Sequence, residues 1–259
     1  MSNREPARAP IGMLDSGLGG LTVLKTAVRL LPFEDFNYLA DFKHSPFGGR
    51  SKTELLGLLD DAVEKLLAQG IKALVLASNT ATSAAAEVLR ARLPIPVLGL
   101  EPALKPAVLA VPEGVILVLA TELTLREEKF NRLYESFRAR GGIVLKSCPG
   151  LVELIDSGQA GTPAIDAYLR SLFADLEPSA VRAVVLGCTH YVFVREAIMR
   201  HFGPEVLCWD GNEGVVRQLT RVLEENNLLA GAGRGGEIRF FSSDPGKLQF
   251  LEKQYGLLF

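Results

Sequence analysis

The chain has 259 residues, 48% hydrophobic and 22% charged, with 28 Lys and Arg against 30 Asp and Glu. A formal net charge of −2 leaves no excess of positive charge of the kind that a nucleic-acid groove or an anionic membrane surface needs, so neither is expected as a partner. The longest apolar runs, 73–77 and 115–120, fall far short of the roughly 20 residues that span a bilayer.

Residues 1–10 carry charge and proline but no apolar core of the secretory kind, which makes the cytoplasm the expected compartment. The three cysteines, Cys148, Cys188 and Cys208, are odd in number and have no CxxC spacing, so reduced thiols are expected rather than a disulfide framework. Beyond them the pattern predicts, in order, strand 10–14, helix 21–31, strand 36–40, helix 52–69, strand 73–77, helix 83–93 and strand 97–100. It continues with strand 115–120, helix 125–140, strand 143–146, helix 162–176, strand 183–186, helix 214–227 and strand 238–241. Short Val, Ile and Leu runs alternating with amphipathic stretches define an α/β class with parallel sheets. Proline-punctuated junctions at 93–96 and 203–204 mark the middle third as a separate unit. The expected division is 1–95 with 206–259 as a discontinuous first domain and 96–205 as the second. One internal similarity stands out: the segment 72–80, ending in Ser78-Asn79-Thr80, parallels 182–190, ending in Cys188-Thr189-His190.

In parallel sheets the ligand crevice lies outside the carboxyl ends of strands, so strand-end motifs carry the chemistry. Asp15-Ser16-Gly17-Leu18-Gly19-Gly20 follows a strand and opens a helix; it suits an anion-binding turn, or equally a cap in which Asp15 or Ser16 satisfies backbone donors. The GxGxxG at 231–236 follows a helix and precedes a strand, the reverse of a dinucleotide site, and reads as a surface loop. In Gly187-Cys188-Thr189-His190-Tyr191 the cysteine is open to three readings: catalytic thiol, metal ligand or buried packing. A metal needs more ligands than this pair, and no second Cys/His cluster supplies them, so no metal is expected. Asp41 and the stretch Pro46-Phe47-Gly48-Gly49-Arg50-Ser51 read on their own as turn chemistry. Cys148 and Cys208 read as structural, and His44 and His201 as surface residues.

Taken together, these segments resemble the glutamate racemases, cofactor-independent members of the aspartate/glutamate racemase superfamily. The matching pieces are 15–20, Tyr38-Leu39-Ala40-Asp41 with Pro46-Phe47-Gly48, Asn79-Thr80-Ala81-Thr82, Glu101-Pro102-Ala103, Ala120-Thr121-Glu122 with Thr124, Gly187 to Tyr191, and the tail Phe241-Ser242-Ser243-Asp244-Pro245. The resemblance implies two similar parallel-sheet α/β domains related by pseudo-twofold symmetry, with the active site between them and no pyridoxal phosphate or metal. It also implies a homodimer and a role in supplying D-glutamate for peptidoglycan.

By the resemblance, two thiols flank the α-carbon of glutamate, one thiolate removing the α-proton and the opposite thiol returning one to the other face. A thiol with a pKa near 8.5 can play both parts. Cys188 would act on L-glutamate with His190 and Asp156 assisting; Asp156 stands where the family usually has a glutamate. Asp15 would assist the opposite face. Ser16, Pro46, Phe47, Gly48, Asn79, Thr80, Thr121 and Thr189 would hold the substrate. The family's first cysteine is Ser78 here. A hydroxyl is less acidic than a thiol by roughly five units, about 7 kcal/mol, so racemisation is expected to be crippled. Two other readings accompany this one: a one-thiol decarboxylase or isomerase of the superfamily, and a non-catalytic glutamate-binding regulatory protein.

Overall fold

The computed structural model describes residues 6–233 and 235–258. They divide into two compact units, Met1–Leu100 with Asn212–Phe259, and Glu101–Gly211. In the first unit the chain runs β1 (Ile11–Asp15), α1 (Leu21–Leu30), β2 (Phe36–Ala40), α2 (Lys52–Leu67), β3 (Ala73–Leu76), α3 (Asn79–Arg92) and β4 (Val97–Gly99). The second holds α4 (Leu104–Ala110), β5 (Val115–Ala120), α5 (Glu122–Arg126), α6 (Glu128–Phe137), β6 (Ile143–Ser147), α7 (Leu151–Asp156), α8 (Pro163–Leu172), β7 (Val181–Gly187), α9 (Arg195–Met199) and β8 (Leu207–Asp210). The chain then returns to the first unit through α10 (Asn212–Glu225), β9 (Ile238–Ser242) and α11 (Leu248–Leu257).

Both sheets are parallel, as the alternation predicts. The first has the order β4-β3-β1-β2-β9 and the second β6-β5-β7-β8. Apart from the edge strand β9, each unit shows the same arrangement: its first strand lies between its second and third, with the fourth outside the third. Strands β1, β2 and β3 are buried at every residue, so they are apolar apart from the buried Asn37 within β2 and Asp15 at the end of β1. In β5 the alternation is explicit: Leu117 and Leu119 enter one core with Ile155, Ile165 and Ile198, while Ile116 and Val118 enter another with Leu104 and Phe130. Removing one such leucine costs about 2–5 kcal/mol.

The two units meet a few residues beyond the limits expected from the proline junctions, at 100/101 and 211/212. β4 begins at Val97 and pairs with β3, and β8 begins at Leu207 and pairs with β7, so each boundary falls after the strand that the proline junction precedes. Local chemistry shifts other limits. The Ser78 hydroxyl accepts the Ala81 N–H at 3.3 Å, starting α3 four residues before the predicted 83. The predicted helix 125–140 breaks at Glu127, whose extended backbone (φ −70°, ψ 138°) separates α5 from α6. At α2 the prediction needs no such change: Ser51 accepts the Glu54 N–H at 3.2 Å, an N-cap three residues before a glutamate. The described residues of 231–236 are an exposed loop before β9; Arg234 lies outside the described residues.

Candidate active site

Each unit has one place where consecutive connections leave its sheet in opposite directions. In the first unit this is between β1 and β3, and in the second between β5 and β7. The carboxyl ends of such strand pairs border the natural ligand crevice of an open parallel sheet. Asp15 ends β1 and Ser78 follows β3; Thr121 follows β5 and Cys188 follows β7.

In the first unit, the loop after β1 is organised by its own carboxylate. Asp15, fully buried, accepts the Gly17 N–H at 3.0 Å and the Gly20 N–H at 2.9 Å on Oδ2. The carboxylate thus satisfies donors of the turn itself, while α1 begins from Gly20 without a side-chain cap, and Ser16 is buried in the turn. Gly20 is required by close approach, since a Cβ there would lie 2.6 Å from Asp15 Cβ and 3.1 Å from Ala77 Cβ. Ser78, Asn79 and Thr80 are all buried at the start of α3, and Asn79 Nδ2 donates to the Leu100 carbonyl at 3.2 Å. After β2 the Asp41 N–H donates to the Asp15 carbonyl at 2.9 Å, tying the two loops together. Pro46 leads into a single 3-10 turn, Phe47–Gly49, that packs against α3 with Phe47 buried and Gly48 half-buried. His44, read as a surface residue, is half-buried instead: its Nδ1 lies 2.9 Å from both Asp41 carboxylate oxygens.

In the second unit, Cys188 is buried and immediately precedes a 3-10 stretch, Thr189–Val194, whose first residues Thr189 and His190 are buried too. The Tyr191 N–H donates to the Cys188 carbonyl at 3.1 Å. His190 Nε2 lies 3.3 Å from Asp156 Oδ1 on the last residue of α7, a contact that becomes an ion pair when the imidazole is protonated. Thr121 caps α5, its Oγ1 accepting the Thr124 N–H at 3.3 Å and lying 2.9 Å from Thr124 Oγ1. Thr124, quoted only within the family pattern and given no role there, is wholly buried; the Thr-x-x-Thr spacing at a helix start is the signal for it.

The other thiols are set apart by their surroundings. Cys148 follows β6 in the same core as Cys188, and burial pushes its thiol up to about 12. It is therefore protonated at neutral pH. Burial also raises the Cys208 thiol. Among the described residues, no group of three or more His, Cys, Asp and Glu side chains gathers as a metal site, and no helix is long and apolar enough to cross a membrane.

Comparison with known proteins shows what the chain and its fold are similar to. A glutamate racemase of Clostridium acetobutylicum is 46% identical over 235 residues, 90% of this chain and 91% of that protein. The crystal structure of glutamate racemase from Thermus thermophilus in complex with beta-chloro-D-alanine matches with a TM-score of 0.80 at 34% identity, covering 98% of this chain and 94% of that one. That of Francisella tularensis in complex with D-glutamate matches with a TM-score of 0.81 at 25% identity, covering 96% and 94%. The family model described as Asp/Glu/Hydantoin racemase covers residues 37–219, and the chain belongs to that family.

Proposed function

We propose that this chain is a glutamate racemase by descent, using Cys188 as the thiol that exchanges the α-proton of L-glutamate and presenting Ser78 to the opposite face. Family membership supports the reaction class, and the equivalent strand ends of Ser78 and Cys188 support their pairing. The Cys188 thiolate would take the α-proton, leaving a carbanion delocalised into the carboxylate. Racemisation then needs a proton delivered to the other face, where the Ser78 hydroxyl is a poor acid. His190, held by Asp156, would serve the Cys188 side and Asp15 the Ser78 side. Buried hydroxyls and backbone N–H groups at Ser16, Asn79, Thr80, Thr121 and Thr189, with the Pro46-Phe47-Gly48 turn, would hold the carboxylates and ammonium. The reading carries with it a cytoplasmic homodimer that supplies D-glutamate to peptidoglycan, at a much reduced rate.

One observation favours a second reading, a one-thiol enzyme in which Cys188 alone does the chemistry. The Ser78 hydroxyl is already engaged with the Ala81 N–H as a helix cap. The test is the circular dichroism of D-glutamate over time with this chain and with Ser78→Cys. Loss of optical activity with the cysteine variant, and little or none with the parent, supports the racemase reading. Silence from both, with glutamate bound, leaves a binding protein or another substrate and overturns it.

A further inference from the structure

The segment Tyr38-Leu39-Ala40-Asp41 stands out in the sequence, yet nothing in the proposed chemistry uses its tyrosine. Tyr38 sits at the centre of β2, beside Met13 of β1, with its side chain wholly buried. A phenylalanine would fill the same space, and the ring already packs edge-on against Phe240 of β9 at 6.2 Å. What the phenol adds is a donor. Its hydroxyl reaches up to the loop after β1 and donates to the Gly17 carbonyl at 2.8 Å. The same oxygen lies 2.7 Å from where a Cβ on Gly20 would stand, so it sits directly beneath the loop.

The loop's donors and acceptor are thus held from two sides. Asp15 accepts the N–H groups of Gly17 and Gly20, and Tyr38 donates to the carbonyl of Gly17. Both ends of that residue's backbone are pinned, and with them the peptide that carries Ser16.

We infer that Tyr38 is a positioning residue: through Gly17 it fixes the Ser16 loop in the conformation that receives a substrate carboxylate. The inference rests on the reading of this site as a glutamate site. Removing the hydroxyl would leave a buried carbonyl without its partner and loosen the loop before anything binds. The ligand would then have to order the loop itself, which weakens binding while leaving Cys188 and position 78, outside the loop, where they are.

The test is Tyr38→Phe, made both in this chain and in the Ser78→Cys background. Expected are amide exchange at Gly17 and Gly20 about tenfold faster with the strand amides unchanged, and a glutamate Kd about fivefold weaker. In the Ser78→Cys background KM rises by the same factor with kcat within about twofold. Phe240→Leu, which disturbs the ring and spares the hydroxyl, serves as the packing control and leaves the split unmoved. Unchanged exchange and affinity, or a uniform loss of protection with KM unchanged, overturn the inference and leave Tyr38 a core residue. If the parent chain binds no glutamate, the functional reading falls on its own; loop exchange, which needs no ligand, still tells whether Tyr38 holds the loop.

Discussion

Ser78 and Cys188 occupy the same place in two copies of one strand order. Each follows the third strand of its unit in nearly the same backbone conformation, φ −137° and ψ 125° for Ser78, φ −146° and ψ 136° for Cys188. They differ in what the side chain does locally. The Ser78 hydroxyl caps α3 through the Ala81 N–H, whereas Cys188 makes no side-chain bond to the turn it precedes. One position serves its own helix, and the other leaves its reactive atom uncommitted to it.

That difference predicts a trade at position 78. Ser78→Cys is expected to raise racemisation by about 10²–10⁴-fold, the usual worth of a matched general acid–base group. It should also weaken the cap of α3, lowering stability by about 1 kcal/mol. Urea melts of parent, Ser78→Cys and Ser78→Ala measure the second effect; equal midpoints for all three would show that the cap contributes nothing.

Cys188 acting alone should still exchange a proton on one face. In D2O the parent chain is expected to deuterate L-glutamate at the α-carbon with retention, and Cys188→Ser to abolish the exchange. Proton NMR follows the α-signal while chiral chromatography follows configuration. Deuteration of D-glutamate in preference to L-glutamate would reverse the assignment of faces.

Cys148 predicts an alkaline limit to stability. Its thiol is raised by burial from 9.0 to about 12, so the folded chain keeps a proton that the unfolded chain gives up above pH 9. The stabilisation is fully present below pH 9 and is lost as pH climbs toward 12, at about 1.4 kcal/mol per pH unit. Burial raises the phenols of Tyr191 and Tyr168 in the same direction. Denaturation midpoints from pH 8.5 to 11 should fall less steeply for Cys148→Ala than for the parent, and parallel curves would refute the assignment.

A buried ion pair fastens the opposite end of the first sheet. Lys72 pairs with Glu34, both side chains 2% exposed, and also donates to the carbonyls of Ala7 at 2.6 Å and Leu228 at 2.7 Å. Burial lowers the Lys72 ammonium below its usual range, with Glu34 opposing that shift. Lys72→Met would leave Glu34 as an uncompensated buried charge, at a cost of about 3–5 kcal/mol. The double change Lys72→Met with Glu34→Leu should cost less than the sum of the singles by about 0.5–3 kcal/mol; strict additivity in a double-mutant cycle would show the pair to be uncoupled.

Much of this arrangement is legible in the sequence because it is local. The strands β2 and β5 stand at their predicted limits, since a strand buried on both faces is mostly apolar along its length, Asn37 being the one polar residue in β2. The likeness of 72–80 to 182–190 picks out the equivalent third strands from their residues alone. Three short helices, α4, α7 and α9, the ten-residue α11 and the strand β8 escape prediction. Few turns give α4, α7 and α9 little periodicity to detect, and Leu207-Cys208-Trp209 is too short an apolar run to stand out before Asp210.

By itself, then, the sequence determined which side chains stand at strand ends, because strand, turn and cap are set by neighbours in the chain. Only the tertiary structure decided which of them meet. His190 finds Asp156 across a helix end, and Tyr38 finds Gly17 from the strand beside it. An apolar run is compatible with any position in a parallel sheet, so its pattern carries no record of the strand next to it. Those meetings follow from strand order, which is settled by burying all the faces at once.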